Sequence, residues 1–298
     1  MPLRAAYTSP AFGLSFELYP PKTAAGDDEL LANVAELMAF RPSYVTCTYG
    51  AGGSTRGKTL DVVESVAKRF GCPVASHLTC VGSTRDDLRD YLREAQSRGV
   101  SAIVALRGDP PKGETTFQAV TGGLRYANEL VEMLRAEFPG FGIAVAGYPE
   151  KHLEAPSLDV DLANLKRKVD AGADAVITQL FYDNTDFFRF VDRCHQVGVQ
   201  VSIVPGLLPV TNLKQIQRIT SLCGAKLPPA FTAALERCGD DAAAQFEVGV
   251  EFAARQLDEL LQAGVPGVHF YVLNKSQATS RVLDAVTGLL PGHERRAE

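Results

Sequence analysis

The sequence predicts an α/β protein, a (β/α)8 TIM barrel with extra helices before the last strand, and three observations carry that prediction. Short runs rich in Val, Ile, Thr and aromatics alternate with longer amphipathic segments, the pattern of repeated βα units on a parallel sheet. Eight such runs can be counted, and eight strands with intervening helices close on themselves more naturally than they form an open sheet. The 298 residues, 46% hydrophobic and 22% charged, suffice for one large core, and barrels of this kind reach this length as one domain. With no internal repeat and no low-complexity linker, residues 1–298 are expected to form a single barrel domain.

In chain order the expected strands are Leu14 to Tyr19, Tyr44 to Tyr49, Val74 to Cys80, Ala102 to Leu106, Ile143 to Gly147, Ala175 to Leu180, Val201 to Val204 and Val268 to Leu273. Helices are expected between them. Leu158, Leu162, Leu165 and Val169, for example, follow at offsets of four, three and four and share one helical face. Gly71, Gly99, Gly172 and Gly198 each stand shortly before a strand, where a helix-ending residue belongs. The stretch from Thr211 to Gly267 exceeds one crossover helix and predicts additional helices, with Pro228 and Pro229 marking a break.

Composition excludes several functions. A net charge of −5, with no basic stretch interleaved with aromatics, argues against nucleic acid as a partner. The six cysteines (Cys47, Cys72, Cys80, Cys194, Cys223, Cys238) form no CxxC pair, so neither a zinc knuckle nor a redox dithiol is expected. Free thiols fit a reducing compartment. Met1 to Gly13 lacks a cationic segment followed by an apolar run, and no stretch approaches the ~20 apolar residues that cross a bilayer. A soluble cytoplasmic protein without a membrane partner is the expectation.

In such a barrel the chemistry sits at the C-terminal ends of the strands. The first strand carries Glu17 among Phe16, Leu18 and Tyr19; desolvation there disfavours the charged carboxylate and tunes it toward proton donation. The competing account is a half-exposed carboxylate paired with Lys22. After the second strand comes Thr48-Tyr49-Gly50-Ala51-Gly52-Gly53-Ser54-Thr55-Arg56, a glycine-rich loop that matches neither the Walker pattern nor GxGxxG. A phosphate cradle and a plain βα turn explain it equally well. His77, on the third strand, reads as a hydrogen-bonding group, because His152, His195, His269 and His293 offer no ligand spacing for a metal.

The fourth strand ends in Leu106-Arg107-Gly108-Asp109-Pro110-Pro111. Arginine offers planar charged donors, glycine a close backbone approach, and the prolines hold the aspartate in a rigid turn. A functional role is favoured over a structural Arg107 to Asp109 pair. Past the fifth strand, Gly147-Tyr148-Pro149-Glu150-Lys151-His152 leads to a helix whose Asp161, Asn164 and Lys168 share a face; spacing alone reads them as solvated. At the end of the sixth strand, Gln179 among Ile177, Leu180 and Phe181 needs hydrogen-bond partners if buried, from a ligand or from backbone.

Laid end to end, these segments resemble the methylenetetrahydrofolate reductase family. The likeness runs from Ser15-Phe16-Glu17 through Leu106 to Pro111, Asn164 to Ala173 and Ile177 to Phe181, and ends on His269-Phe270-Tyr271-Val272-Leu273-Asn274. The resemblance implies a barrel with noncovalent FAD, which takes hydride from NADH or NADPH and passes it to 5,10-methylenetetrahydrofolate. It implies that Glu17 is the general acid and that Asp109 is a carboxylate near flavin and pterin. Thr48, His77, Arg107, Gly108, Asp109, Tyr126, Tyr148, His152, Ala155, Asp161 and Lys168 then match flavin-contacting positions, which replaces the solvated reading of the Asp161 to Lys168 face. Gln179, Gln215, Tyr271 and Lys275 match folate-contacting positions.

Lys275 stands where many relatives have arginine, so a bidentate clamp becomes a point charge, and Leu153 stands where proline is common. Relatives also imply a homo-oligomer. Eukaryotic ones append a regulatory domain that binds S-adenosylmethionine, and with the chain ending at Glu298 that inhibition is not expected. Two other readings stay open: an aldolase-like barrel using a lysine Schiff base, against which no lysine lies in an expected strand, and a noncatalytic flavin- or folate-binding protein.

Overall fold

The computed structural model describes residues 3–8, 12–49, 56–110, 113, 116–286 and 288. Its strands are β1 (Gly13–Leu18), β2 (Tyr44–Cys47), β3 (Val74–Thr79), β4 (Ala102–Leu106), β5 (Gly142–Gly147), β6 (Ala175–Thr178), β7 (Ser202–Val204), β8 (Gly206–Leu207) and β9 (Gly267–Tyr271). The helices are α1 (Leu3–Ala6), α2 (Ala24–Met38), α3 (Arg56–Phe70), α4 (Arg85–Ser97), α5 (Ala127–Glu137), α6 (Leu158–Asp170), α7 (Asn184–Gln196), α8 (Leu213–Cys223), α9 (Pro229–Arg237), α10 (Ala242–Gln262) and α11 (Gln277–Ala285).

Every strand pairing is parallel, in the order β7-β6-β5-β4-β3-β2-β1-β9-β8. Only Pro205 separates β7 from β8, and the two pair with opposite ends of that order, β7 with β6 and β8 with β9. They are therefore one barrel strand interrupted by a residue that has no N–H to give the ladder. The Pro205 carbonyl still accepts from His269 N at 2.9 Å, which keeps the seam closed. The eight expected strands are thus present, with the seventh split. The last ends at Tyr271 rather than Leu273, because Leu273 and Asn274 take φ of 49° and 57° and leave extended geometry.

Local sequence explains the helices. Thr84 and Asp87 form a capping box on α4, Ser157 caps α6, Asp183 caps α7, and Asn212 caps α8. Gly71, Gly99, Gly172 and Gly198 all have positive φ, as expected of residues that stop a helix. The expected extra helices are α8, α9 and α10, with Pro228 and Pro229 starting α9 rather than breaking one.

Because side chains alternate along a strand, the register sorts them into two faces. Leu14, Phe16, Val45, Leu78, Ile103, Val145, Val176, Val268 and Phe270 pack outward against the helices in the largest apolar cluster. Inside the barrel a second cluster joins Tyr44, Ala75, Ala102, Val104, Ala144, Ala175, Ile177 and Val204 to Leu3, Ala6 and Tyr7. The short α1, which the sequence pattern did not signal, therefore plugs the barrel floor. Its fit depends on glycine: a Cβ on Gly13 would lie 2.2 Å from the Tyr7 ring and 2.8 Å from Ala6 O. Gly13→Ala is expected to lower stability by about 1–3 kcal/mol through overpacking. Equilibrium denaturation tests this, and an unchanged midpoint would mean that the plug does not seat against β1.

Candidate active site

Glu17 is the penultimate residue of β1 and faces the barrel interior, its side chain 17% exposed. Two imidazoles flank it. His77 Nε2, from β3, lies 3.2 Å from Glu17 Oε2, and His269 Nε2, from β9, lies 3.5 Å away. These approaches are short but poorly aligned, since neither buried Nε2 completes a hydrogen bond. Burial raises the carboxyl, and the combined pull of His77 and His269 more than offsets it and brings the group down to about 2. Desolvation alone was expected to make Glu17 a proton donor; with both imidazoles beside it, the group is instead an anion. The pairing with Lys22 also gives way to the histidines. Beneath this cluster, Ser15 Oγ lies 2.8 Å from His269 Nδ1.

Beside the mouth, a cleft of about 1340 Å³ opens at the tips of β4 and β5, where Leu106 and Ala146 form part of its wall. The rest of the wall includes Arg107, Phe117, Tyr126, Tyr148, His152, Glu154, Ala155, Asp161, Asn164 and Lys168. This exceeds the about 300–1,000 Å³ of ordinary small-molecule sites and suits an extended ligand. Lys168 is a buried cation donating to Ala146 O at 2.5 Å. Burial lowers it to about 8, with Asp161 opposing the shift. Asp161 in turn accepts from His152 N at 2.8 Å, and the His152 ring meets Tyr148 edge to face at 4.6 Å. Arg107 is clasped by Glu154 through two hydrogen bonds of 2.6 Å, with its guanidinium 5.2 Å above the Phe117 ring.

A buried carboxylate between imidazoles thus stands at the C-terminal mouth of a parallel barrel, next to a cleft that carries Lys168 and Arg107. The family model described as methylenetetrahydrofolate reductase matches residues 3–287. The chain belongs to the methylenetetrahydrofolate reductase family. It is 39% identical over 279 residues to 5,10-methylenetetrahydrofolate reductase of Salmonella typhimurium, covering 94% of this chain and 92% of that one. The Escherichia coli enzyme of the same description is 38% identical at the same coverage. A probable methylenetetrahydrofolate reductase (NADH) from Oryza sativa is 39% identical over 90% of this chain. There the chain spans about half of its relative's length, 47%. Among solved structures, a Clostridium thermocellum protein described as binding two copies of 5-methyl-5,6,7,8-tetrahydrofolic acid superposes over 97% of this chain and 99% of its own. With a TM-score of 0.64 and 14% identity, it supports the fold alone.

Of the positions that the family likeness assigns to flavin, the cleft wall brings together Arg107, Tyr126, Tyr148, His152, Ala155, Asp161 and Lys168. Tyr126 is its exposed lip, at 58%. His77 is instead beside Glu17, and Thr48 follows β2 half-buried. Gly108 takes a φ of 89°, and a Cβ there would meet Val81 at 2.8 Å. Of the glycine-rich loop, Gly50 to Thr55 lie outside the described residues, as does Pro111. Glu17, Asp109 and Gln179 are not part of the cleft wall. Asp109 is exposed, and Arg107 pairs with Glu154 rather than with it.

Gln179 continues β6, with its N–H on Gly147 O and its Oε1 accepting from Leu180 N, both at 2.8 Å. Tyr271 Oη donates to Thr178 O at 2.8 Å. Gln215 and Lys275 are exposed. Sequence reasoning missed Glu154 and gave His269 no role. Only the position of His269 one residue before an aromatic-rich strand end hinted that it points inward.

The lowered Glu17 carboxyl fixes a pH dependence. A depressed carboxyl stabilises the fold above its ordinary value, and that stabilisation disappears as pH falls toward about 2. Between pH 5 and 2 the wild type should lose more stability than Glu17→Gln. Denaturant midpoints across that range decide it, and parallel curves would show that the imidazoles exert no such pull.

Proposed function

We propose that the chain reduces 5,10-methylenetetrahydrofolate to 5-methyltetrahydrofolate, with noncovalent FAD in the cleft and NADH or NADPH as the electron donor. The observation that carries this reading is Glu17, a carboxylate buried between two imidazoles at the barrel mouth. Neither a lysine Schiff base nor passive storage gives that arrangement a task. The cleft residues fit a flavin dinucleotide: the cavity is of sufficient volume, Lys168 and Arg107 offer positive charge to a pyrophosphate, and Tyr126 presents an exposed ring at the lip. Once bound, the flavin supplies hydride acceptance from the nicotinamide and hydride donation to the folate carbon.

The chain's own work is to bind, orient and protonate. Opening the folate's five-membered ring requires a proton at N10, and Glu17 is the donor in this proposal. As an anion between imidazoles it must first gain that proton. Folate closing over the mouth excludes water, which disfavours the separated carboxylate and imidazolium charges and moves a proton from His77 onto Glu17. Asp109, near Arg107 and Tyr148, stabilises positive charge developing on the folate. Gln179 can offer the pterin its amide N–H, since its Oε1 is engaged by Leu180. Tyr271, Gln215 and Lys275 complete the folate contacts, Lys275 as a point charge toward the glutamate tail.

In anaerobic rapid mixing, Glu17→Gln should keep nicotinamide-driven flavin reduction and lose about 10²- to 10⁴-fold in the folate step. Folate reduction at the wild-type rate would remove Glu17 from the mechanism. Flavin retention should also track Lys168. The amine is charged below about 8, so FAD affinity should weaken as pH rises through that value. Lys168→Met should bind FAD about ten- to a hundred-fold more weakly at pH 7 and with a flatter pH profile. Ultrafiltration of the flavin across pH measures both, and a variant that matches the wild type would place the pyrophosphate elsewhere.

A further inference from the structure

Below Glu17 the barrel interior holds a chain of hydroxyls to which the proposed reaction gives no part. Tyr7 follows α1 on the floor and Tyr44 opens β2. Their hydroxyl oxygens are 2.5 Å apart, and their rings meet edge to face at 6.2 Å. Tyr7 Oη lies 3.4 Å from Ser15 Oγ, and Ser15 Oγ lies 2.8 Å from His269 Nδ1. The opposite nitrogen of that ring, Nε2, is the one 3.5 Å from Glu17. Tyr7, Tyr44, Ser15 and His269 are all buried, the last two without exposure.

We infer that the Tyr7–Tyr44 pair positions Glu17 from the barrel floor. It donates to Ser15, Ser15 then donates to His269 Nδ1, and the neutral imidazole keeps its proton on Nε2, facing the carboxylate. Counting protons supports this direction. Ser15 has one proton to give; if Nδ1–H pointed at it instead, a bare Nε2 lone pair would face an anion. Burial pushes both phenols above their ordinary value, so both remain protonated, one donating to the other and leaving one proton for Ser15.

His77 is the nearer ring, at 3.2 Å from Glu17, and His269, without exposure, is the one tied to Ser15. The other titratable groups that face Glu17 are Tyr271 on β9 and Tyr44 on β2, with Cys47 coupled to it from the outer face of β2, and burial keeps all three protonated. The tautomer of His269 is thus the variable that the floor hydroxyls control. Tyr7 and Tyr44 act through Ser15 and His269 and are positioning residues.

The test uses the full chain labelled with 15N-histidine. In the wild type, NMR should show His269 neutral, with its proton on Nε2. In Tyr7→Phe, and more strongly in Tyr7→Phe/Tyr44→Phe, the two tautomers should mix. Loss of the donor makes the Glu17 anion less favoured, so the alkaline limb of the folate step should move up by about half to one pH unit. Flavin reduction by the nicotinamide should be unchanged.

A wild-type His269 protonated on Nδ1 or on both nitrogens overturns the inference, and so do variants in which tautomer and limb stay put. An equal fall in both half-reactions marks a general structural loss and overturns it too. The kinetic arm rests on Glu17 as the acid, whereas the NMR arm does not. The expected tautomer together with unimpaired folate reduction by Glu17→Gln would overturn the acid assignment and support the floor network.

Discussion

The interior volume of a closed parallel barrel is the constraint on which the rest of this structure depends. Inward positions must fill it without overlap, and here they divide into two arcs. On β4, β5 and β6 the inward residues include Ala102, Gly142, Ala144, Ala146 and Ala175. On β1, β2, β3 and β9 they include Ser15, Glu17, Tyr44, Thr46, His77 and His269. Val104, Leu106 and Ile177 also point inward on the first side, so that arc is apolar and faces a polar one. The cleft opens above the apolar arc, at Leu106 and Ala146, and Glu17 stands on the polar one.

A polar arc inside a barrel is costly to bury, and here Thr46 Oγ1, Thr79 Oγ1 and the Nε2 atoms of His77 and His269 complete no hydrogen bond. Glu17 shows which effect wins: burial alone would neutralise it, and two imidazoles more than offset burial. Lys168 shows the reverse. Its carboxylate neighbour Asp161 does not overcome burial, and the amine, with a backbone carbonyl as its hydrogen-bond partner, is lowered to about 8. Arg107 stays paired, since Glu154 accepts from both of its terminal nitrogens and Gly108 O from its Nε. Any anion that recruits Arg107 must therefore compete with a carboxylate already in place.

Much of this was legible in the sequence because the relevant signals are local. Alternating apolar runs located the strands, and helix-ending glycines located the turns. What escaped was set by residues distant in sequence or by a single backbone atom. Ser15 and His269 are 254 residues apart, so nothing near Glu17 reveals that imidazoles surround it. Burial was read correctly, yet the sign of its net effect was not. The expected seventh strand stopped at Val204, so Gly206 and Leu207, which rejoin the ladder beyond Pro205, were missed, and α1 is too short to show a period. The Asp161 to Lys168 face has the spacing of a solvated helix and became interpretable only through the likeness to a family.

The ladder between β1 and β9, from Gly13 with Gly267 to Glu17 with Tyr271, carries a consequence for biogenesis. A ribosome makes the carboxylate early and the second imidazole beside it late, so for most of translation Glu17 has His77 but not His269. The interior of the nascent barrel stays open along that edge until the final strand emerges. The flanking of Glu17 by both imidazoles and closure of the fold are therefore completed by the same zippering event.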